Sequence, residues 1–315
     1  MKRRPPIERS KLIELGVIAL ALSGLALVAW PLSGVVPVWF YYAYIVASVA
    51  LGLTLYFRLR QLDQPLRRRL VQVLLATSLF GAAALRDPLR GLFQIEGLFF
   101  DLFAGVLLAA VIHYLIAKIL GPLLFGRVWC GWACWTAALL DQLPFKRSPG
   151  RLKGRWGVLR YAHFAASLAL VAALFYGFAY RPGFAGPPAL AWFLIGNTLY
   201  YLLGVALAFA LKDNRAFCKY ACPVAVPLKL GARVSALKVV GDSSRCCQQR
   251  VCEKVCPMDI RIADYLQRGE RVMSSECLLC QACVAVCPEQ ALSLSFGLGR
   301  PGPELLLERG APRDD

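Results

Sequence analysis

Histidine is almost absent from this chain: among 315 residues only His113 and His163 occur. Acidic side chains are scarce too, 19 against 36 Lys and Arg, and charges of both signs make up only 17% of the composition. So low a charge content is foreign to ordinary soluble enzymes. No phosphate-binding glycine loop, dinucleotide fingerprint or nucleophile elbow occurs, which argues against an NAD-linked or hydrolytic enzyme. The basic excess does not mark a nucleic-acid binder either, because it is broken up between apolar runs instead of lying along one polar face. Cysteine is missing before Cys130, and all twelve cysteines stand in tight groups from there on.

What is abundant is apolar sequence, 58% of the chain. A bilayer core about 30 Å thick takes roughly 20 apolar residues of helix. Stretches at about 12–30, 38–57, 98–120, 157–180 and 189–211 meet that length, and a shorter sixth at about 70–85 is bracketed by Arg67, Arg68, Arg69 and Arg86. Counting six spans with the N-terminus inside puts sixteen Lys and Arg in the inner segments and three, Arg86, Arg90 and Arg181, outside. That is a positive-inside bias, and Trp30, Trp39, Tyr180 and Trp192 fall near the outer ends, where aromatic belts form. Both termini are then cytoplasmic, and the cysteines lie in a reducing compartment that favours thiolate ligands over disulfides. The first span lacks a small-residue cleavage site and is read as a span, not a signal peptide.

Near the C-terminus, Cys277-Leu-Leu-Cys280-Gln-Ala-Cys283-Val-Ala-Val-Cys287-Pro288 matches the ferredoxin run C-x2-C-x2-C-x3-C-P at every position. Its fourth cysteine habitually serves a second cluster. An upstream run exists, Cys246-Cys247-Gln-Gln-Arg-Val-Cys252-Glu-Lys-Val-Cys256-Pro257, but it is irregular: Gln249 stands at the second ligand position and Cys247 comes two residues early. Either this loop rearranges so that Cys247 ligates, or one iron is held by another group or is absent, leaving a 3Fe cluster. The preferred reading assigns one 4Fe–4S cluster to Cys277, Cys280, Cys283 and Cys256 and the other to Cys246, Cys247, Cys252 and Cys287. Residues 262–268 read as a short helix and Leu292 to Phe296 as a strand that closes the domain.

Two further segments repeat each other: Arg127-Val-Trp-Cys130-Gly-Trp-Ala-Cys134 and Arg215-Ala-Phe-Cys218-Lys-Tyr-Ala-Cys222. On a helix, cysteines four apart share a face, so each segment offers two sulfurs at the inner boundary. A third iron–sulfur centre, a redox thiol site, a structural zinc or plain packing are the alternatives. His113 and His163 suit a bis-histidine haem poorly, since they lie roughly 16 Å and roughly 9 Å from the inner ends of their helices. His163, with Arg160 and Tyr161, is a candidate to accept a proton from a quinol. Asp141 is placed to orient the first cysteine pair, and Asp101 to cap its helix. Arg245, Arg250, Lys254, Arg261, Arg268 and Arg271 form either a surface steering an acidic partner or a solvated face.

At these cysteines the chain resembles the membrane iron–sulfur proteins of the periplasmic nitrate reductase H-subunit type, with the nitrous oxide reductase regulator and a cytochrome oxidase assembly accessory protein as related members. Cys218-Lys-Tyr-Ala-Cys222-Pro223 matches the family's C-x3-C-P motif, whereas Cys134 is followed by Trp135. The resemblance covers about 98–297. It implies an electron conduit between the quinone pool and a partner redox enzyme, or else a redox assembly or regulatory factor for a metal centre of another membrane complex. The expected protein is mainly α: a polytopic bundle of about six spans over 1–211, a linker over 212–240, an α+β double 4Fe–4S ferredoxin domain over 241–300 and a tail over 301–315. It would sit in the cell inner membrane as an electron-transfer subunit, without nucleic acid as a partner.

Overall fold

The structure, a computed structural model, describes residues 36–59, 62–85, 94–106, 109–181, 187–299 and 302–310. The first span at 12–30 lies outside them. Helix α1 (Val36–Arg58) belongs to a unit of its own, residues 1–60, separate from the unit formed by 61–315. Within α1, the Thr54 hydroxyl donates back to the Ala50 carbonyl at 2.8 Å.

In the second unit α2 (Gln64–Leu85) comes first, then α3 (Ile95–Phe103). The stretch read as one span at 98–120 is broken. Gly105, at φ 66°, closes a Schellman turn in which Gly105 N–H reaches Leu102 O and Val106 N–H reaches Asp101 O; only glycine adopts this left-handed position without cost. The chain then resumes as α4 (Ala109–Tyr114), a π-helical stretch (Leu115–Leu120) and α5 (Gly121–Phe125). Asp101 does not cap: it is fully buried inside α3, and neither carboxylate oxygen has a hydrogen-bond partner among the described residues.

Two short helices follow, α6 (Val128–Trp132) and α7 (Trp135–Leu140). Helix α8 (Leu159–Ala172) is extended at both ends into one run, Trp156–Gly177. Helix α9 (Pro187–Leu211) opens on two prolines, whose missing N–H groups cost nothing in a first turn, and contains no charged residue. Among the described residues, two helical runs, Trp156–Gly177 and Ala191–Leu211, are long and apolar enough to cross a membrane. On the second, Ile195, Leu199 and Leu202 are each about 60% exposed, an apolar row of the kind that marks a surface facing lipid or another protein.

The rest comprises α10 (Ala216–Tyr220), α11 (Ala225–Arg233), β1 (Leu237–Gly241), α12 (Val251–Lys254), α13 (Ile262–Gln267), α14 (Ala282–Val286) and β2 (Leu292–Phe296). The strands pair antiparallel, from Leu237 opposite Phe296 to Gly241 opposite Leu292. Helix α13 and strand β2 stand where the sequence predicts them. Strand β1, however, begins inside the stretch read as linker. Residues 302–310 are no free tail: Glu308 bridges to Arg151, Leu306 to Ile260, and the Arg309 guanidinium donates to Leu211 O at 2.6 Å. The domain core of Val239, Met258, Ile260, Tyr265, Leu278, Leu279 and Leu292 runs on into Cys130 and Leu228, so the cysteine-rich domain and the duplicated segments share one apolar interior.

Candidate iron–sulfur sites

The duplicated segments fold alike. In each, the arginine precedes a five-residue helix, and the chain then closes on the same pair of hydrogen bonds: Ala133 and Cys134 N–H to Trp129 O, Ala221 and Cys222 N–H to Phe217 O, all at 2.9 Å. The helices end before the second cysteine, so Cys134 and Cys222 do not share a helical face with Cys130 and Cys218. They sit in the turn beyond, at the entry to α7 and just before α11, where the N–H groups of Ala137 and Ala225 point at their sulfurs. Trp135 in place of proline does not disturb the turn; its indole N–H donates to Asn197 Oδ1 at 2.7 Å.

All four cysteines line one cavity of about 690 Å³ with His113, Lys118, Trp129, Asn197 and Tyr200. Burial pushes the Cys134 thiol up to about 11 and raises Cys218 and Cys222 as well; the neighbouring cysteines add to the rise in each, while Arg215 and Arg127 partly offset it at Cys218. Such a set becomes thiolate only with positive charge in its midst. Buried Arg127 and Arg215 stand beside it, and Lys118 Nζ lies 3.5 Å from the centre of the Trp129 ring.

Cys256, Cys277, Cys280 and Cys283 line a second cavity of about 390 Å³, walled by Val239, Met258, Ile260 and Ile262. Cys277 is raised to about 11 by burial, a shift that the Leu279 N–H, Lys238 and Arg127 partly offset. Cys256 and Cys283 are raised further, by burial and by the other sulfurs. Among the described residues no three His, Cys, Asp or Glu side chains close on a single ion. Four thiols spread around a cavity suit a cubane, in which each caps its own iron, better than one zinc with four ligands at about 2.3 Å. Of the remaining tail cysteines, Cys246, Cys252 and Cys287 pack on the domain core, and the Ala291 N–H donates to Cys287 Sγ. Cys247 is exposed and outside that group.

The two cavities are joined by polar contacts that the sequence did not reveal. Glu276, next to Cys277 and 1% exposed, binds Arg127 (2.6 Å), Arg151 (3.2 Å), Arg160 (3.0 Å) and Lys229 (2.6 Å). Burial alone would raise its carboxyl, but Arg151, Arg127, Arg160 and Lys229 together hold it well below the ordinary range. Arg160 is thereby committed to Glu276 and the Lys219 carbonyl, away from any partnership with His163. Asp141 takes Arg215 (2.6 Å) and Arg68 (3.1 Å), and those arginines donate to the carbonyls of Cys130 and Gly131. It thus orients the first pair at one remove, and burial's upward pull on its carboxyl is overridden by the two guanidiniums.

Lys219, at the motif position of Gly131, is fully buried between Asp213 (2.6 Å) and Asp259 (2.5 Å). His163 Nδ1 donates to Ala221 O at 2.7 Å, beside Cys222, so that in a neutral ring Nε2 is the acceptor. In the tail, Arg250 pairs with Glu253 and Asp264, Arg261 with Asp264, and Arg271 binds three carbonyls, so these three of the six cations also brace the domain. A lone acid beside the first ligand of a ferredoxin run, in so basic a chain, was the signal for Glu276.

Comparison with known proteins matches the family model described as a 4Fe-4S binding domain to residues 107–151 and 186–238, the two stretches that carry the duplicated motif. Among curated proteins, an uncharacterised protein of Methanocaldococcus jannaschii is 31% identical over 198 residues, covering 60% of this chain and 72% of that protein. A second from the same archaeon is 26% identical, over 63% of this chain and 86% of its own. The ferredoxin-type protein NapH of Haemophilus influenzae is 25% identical, over 63% and 71%. No solved structure matches.

Proposed function

The chain belongs to the family of polyferredoxin-type, NapH-like 4Fe–4S proteins, an iron–sulfur electron-transfer protein, and on that footing we propose that it carries electrons between the quinone pool and a partner redox enzyme. Cys256, Cys277, Cys280 and Cys283 hold one cluster; Cys246, Cys252 and Cys287 bind a second; Cys130, Cys134, Cys218 and Cys222 hold a third. When bound, the clusters supply one-electron carriers whose potentials follow charge, hydrogen bonding and exposure. The residues of the chain do the rest. Arg127, Arg215 and Lys118 offset the charge of the thiolate set, the N–H groups of Ala137, Ala225 and Leu279 orient sulfurs, and His163 Nε2 takes a proton from the quinol.

The observation that carries this reading is the contact between the first motif and the tail loop. A side-chain carbon at Gly131 would meet the Leu278 carbonyl oxygen, so the two backbones touch there, and the Trp132 indole N–H donates to Leu279 O at 3.0 Å. Clusters held in the two cavities would then be separated by one layer of residues and could exchange electrons across it. The protein sits in the cell inner membrane with about six spans and both ends cytoplasmic, the passage at 98–120 being made by a broken helix pair. Anaerobic purification in detergent, with iron and sulfide counted and the clusters followed by electron paramagnetic resonance (EPR), tests this. A quinol analogue is expected to reduce the clusters; clusters that never respond would shift the assignment to an assembly or regulatory factor. Cys134→Ser and Cys222→Ser should each lower iron by about four per chain, and unchanged iron in both removes the third centre.

A further inference from the structure

The two ferredoxin runs share one backbone. Cys246, Cys252, Cys256 and Pro257 stand thirty-one residues before Cys277, Cys283, Cys287 and Pro288. The left-handed residues keep the same spacing: Gln248 (φ 56°), Arg250 (φ 50°) and Asp259 (φ 58°) against Leu279 (φ 49°), Gln281 (φ 61°) and Gln290 (φ 50°). Left-handed φ is uncommon outside glycine, so three such coincidences fix the register. Helices α12 and α14 also start at equivalent residues, each after its left-handed arginine or glutamine. The upstream loop has therefore not rearranged to bring Cys247 in. Gln249 occupies the place of Cys280, and Cys247 that of Leu278. Leu278 is 2% exposed, whereas Cys247 and Gln249 both face solvent.

From this register we infer that the second tail site is a three-thiolate site, on Cys246, Cys252 and Cys287, whose fourth corner opens at Gln249 to an exchangeable iron and an external donor. The inference rests on the reading that the tail cysteines hold clusters. A neutral amide is a poor iron ligand beside thiolates, and the exposed loop admits water, hydroxide or a small thiol to that corner. A one-electron oxidant of the ferricyanide class then removes the unheld iron: [4Fe–4S]2+ gives [3Fe–4S]+, Fe2+ and one electron, which the oxidant accepts. Ferrous ion and a reductant reverse it. The other tail set, with four cysteines around its cavity, resists the same treatment.

The test uses the full chain in detergent, prepared anaerobically, with iron and sulfide counts and EPR before and after ferricyanide. The parent is expected to lose about one iron per chain and to gain a 3Fe signal of one cluster equivalent. Cys247→Ser should leave both unchanged, and Gln249→Cys should abolish the conversion while retaining the iron. Less iron in Cys247→Ser than in the parent before oxidation, or a parent as resistant to ferricyanide as Gln249→Cys, overturns the inference and leaves the electron-transfer reading intact. A preparation lacking iron and sulfide altogether defeats that reading itself. Should Gln249→Cys fail to fold, the parent and Cys247→Ser still decide the matter.

Discussion

Replacing Glu276 by Gln should be among the most damaging single changes in the molecule, although the two side chains are nearly isosteric. Four cations, from Arg127, Arg151, Arg160 and Lys229, lie within 2.6–3.2 Å of one carboxylate that is 1% exposed. Gln removes the only anion in this group and can accept at one oxygen, so the cations are left facing each other away from water. Breaking a buried ion pair by removing one partner costs about 3–5 kcal/mol, which corresponds to roughly two to four orders of magnitude in the unfolding equilibrium. The sign with pH follows from the depressed folded value of Glu276. Its stabilisation is fully present above the free glutamate value of about 4.3 and fades only as pH falls through the lower folded one, so at neutral pH the parent has the whole benefit. Unfolding in detergent, followed by tryptophan fluorescence and by the visible absorption of the clusters, measures it. Because Glu276 precedes Cys277, cluster bleaching and unfolding should be advanced together. A variant that unfolds within about 1 kcal/mol of the parent, with its clusters intact, would refute the idea that this carboxylate holds the cysteine-rich domain to the duplicated segments.

Two more substitutions probe the same junction. Gly131→Ala inserts a carbon against the Leu278 carbonyl, a backbone atom that cannot swing aside; overpacking of this kind costs about 1–3 kcal/mol and should lower the thermal midpoint by roughly 2–10 °C, an unchanged midpoint counting against the contact. Lys219→Met leaves the buried carboxylates of Asp213 and Asp259 without their shared cation, at a cost of about 3–5 kcal/mol. Adding Asp259→Asn to that variant should restore part of the loss in a denaturant titration, and strict additivity of the two changes would show that the pair does not interact.

Much of the site could be read from the chain itself because iron–sulfur ligation is local. The C-x2-C-x2-C-x3-C-P spacing names its own ligands within eleven residues, and the repeat of Arg127–Cys134 in Arg215–Cys222 is visible as text. Periodicity and apolar length likewise gave α8, α9 and β2. Gly105 shows where that approach fails. The apolar run continues through it, and composition alone does not reveal that the backbone turns left-handed there and splits the helix. The second run differs: the spacing itself sets Gln249 at the ligand position with Cys247 two residues early, and it takes the matching left-handed φ values to argue that the loop has not rearranged to bring Cys247 in.

What the sequence alone determined is the chemistry on offer, cysteines in the spacings of iron–sulfur proteins, because residues three or four apart are placed by the local backbone. What the tertiary structure decided is how those groups meet: that Glu276 draws in arginines from three separate stretches and a lysine from a fourth, that Lys219 spans two aspartates forty-six residues apart, and that Gly131 admits the Leu278 backbone. Each of these depends on residues far apart in the chain being brought together and stripped of water, where a single charge or a single methyl group decides whether two segments can pack.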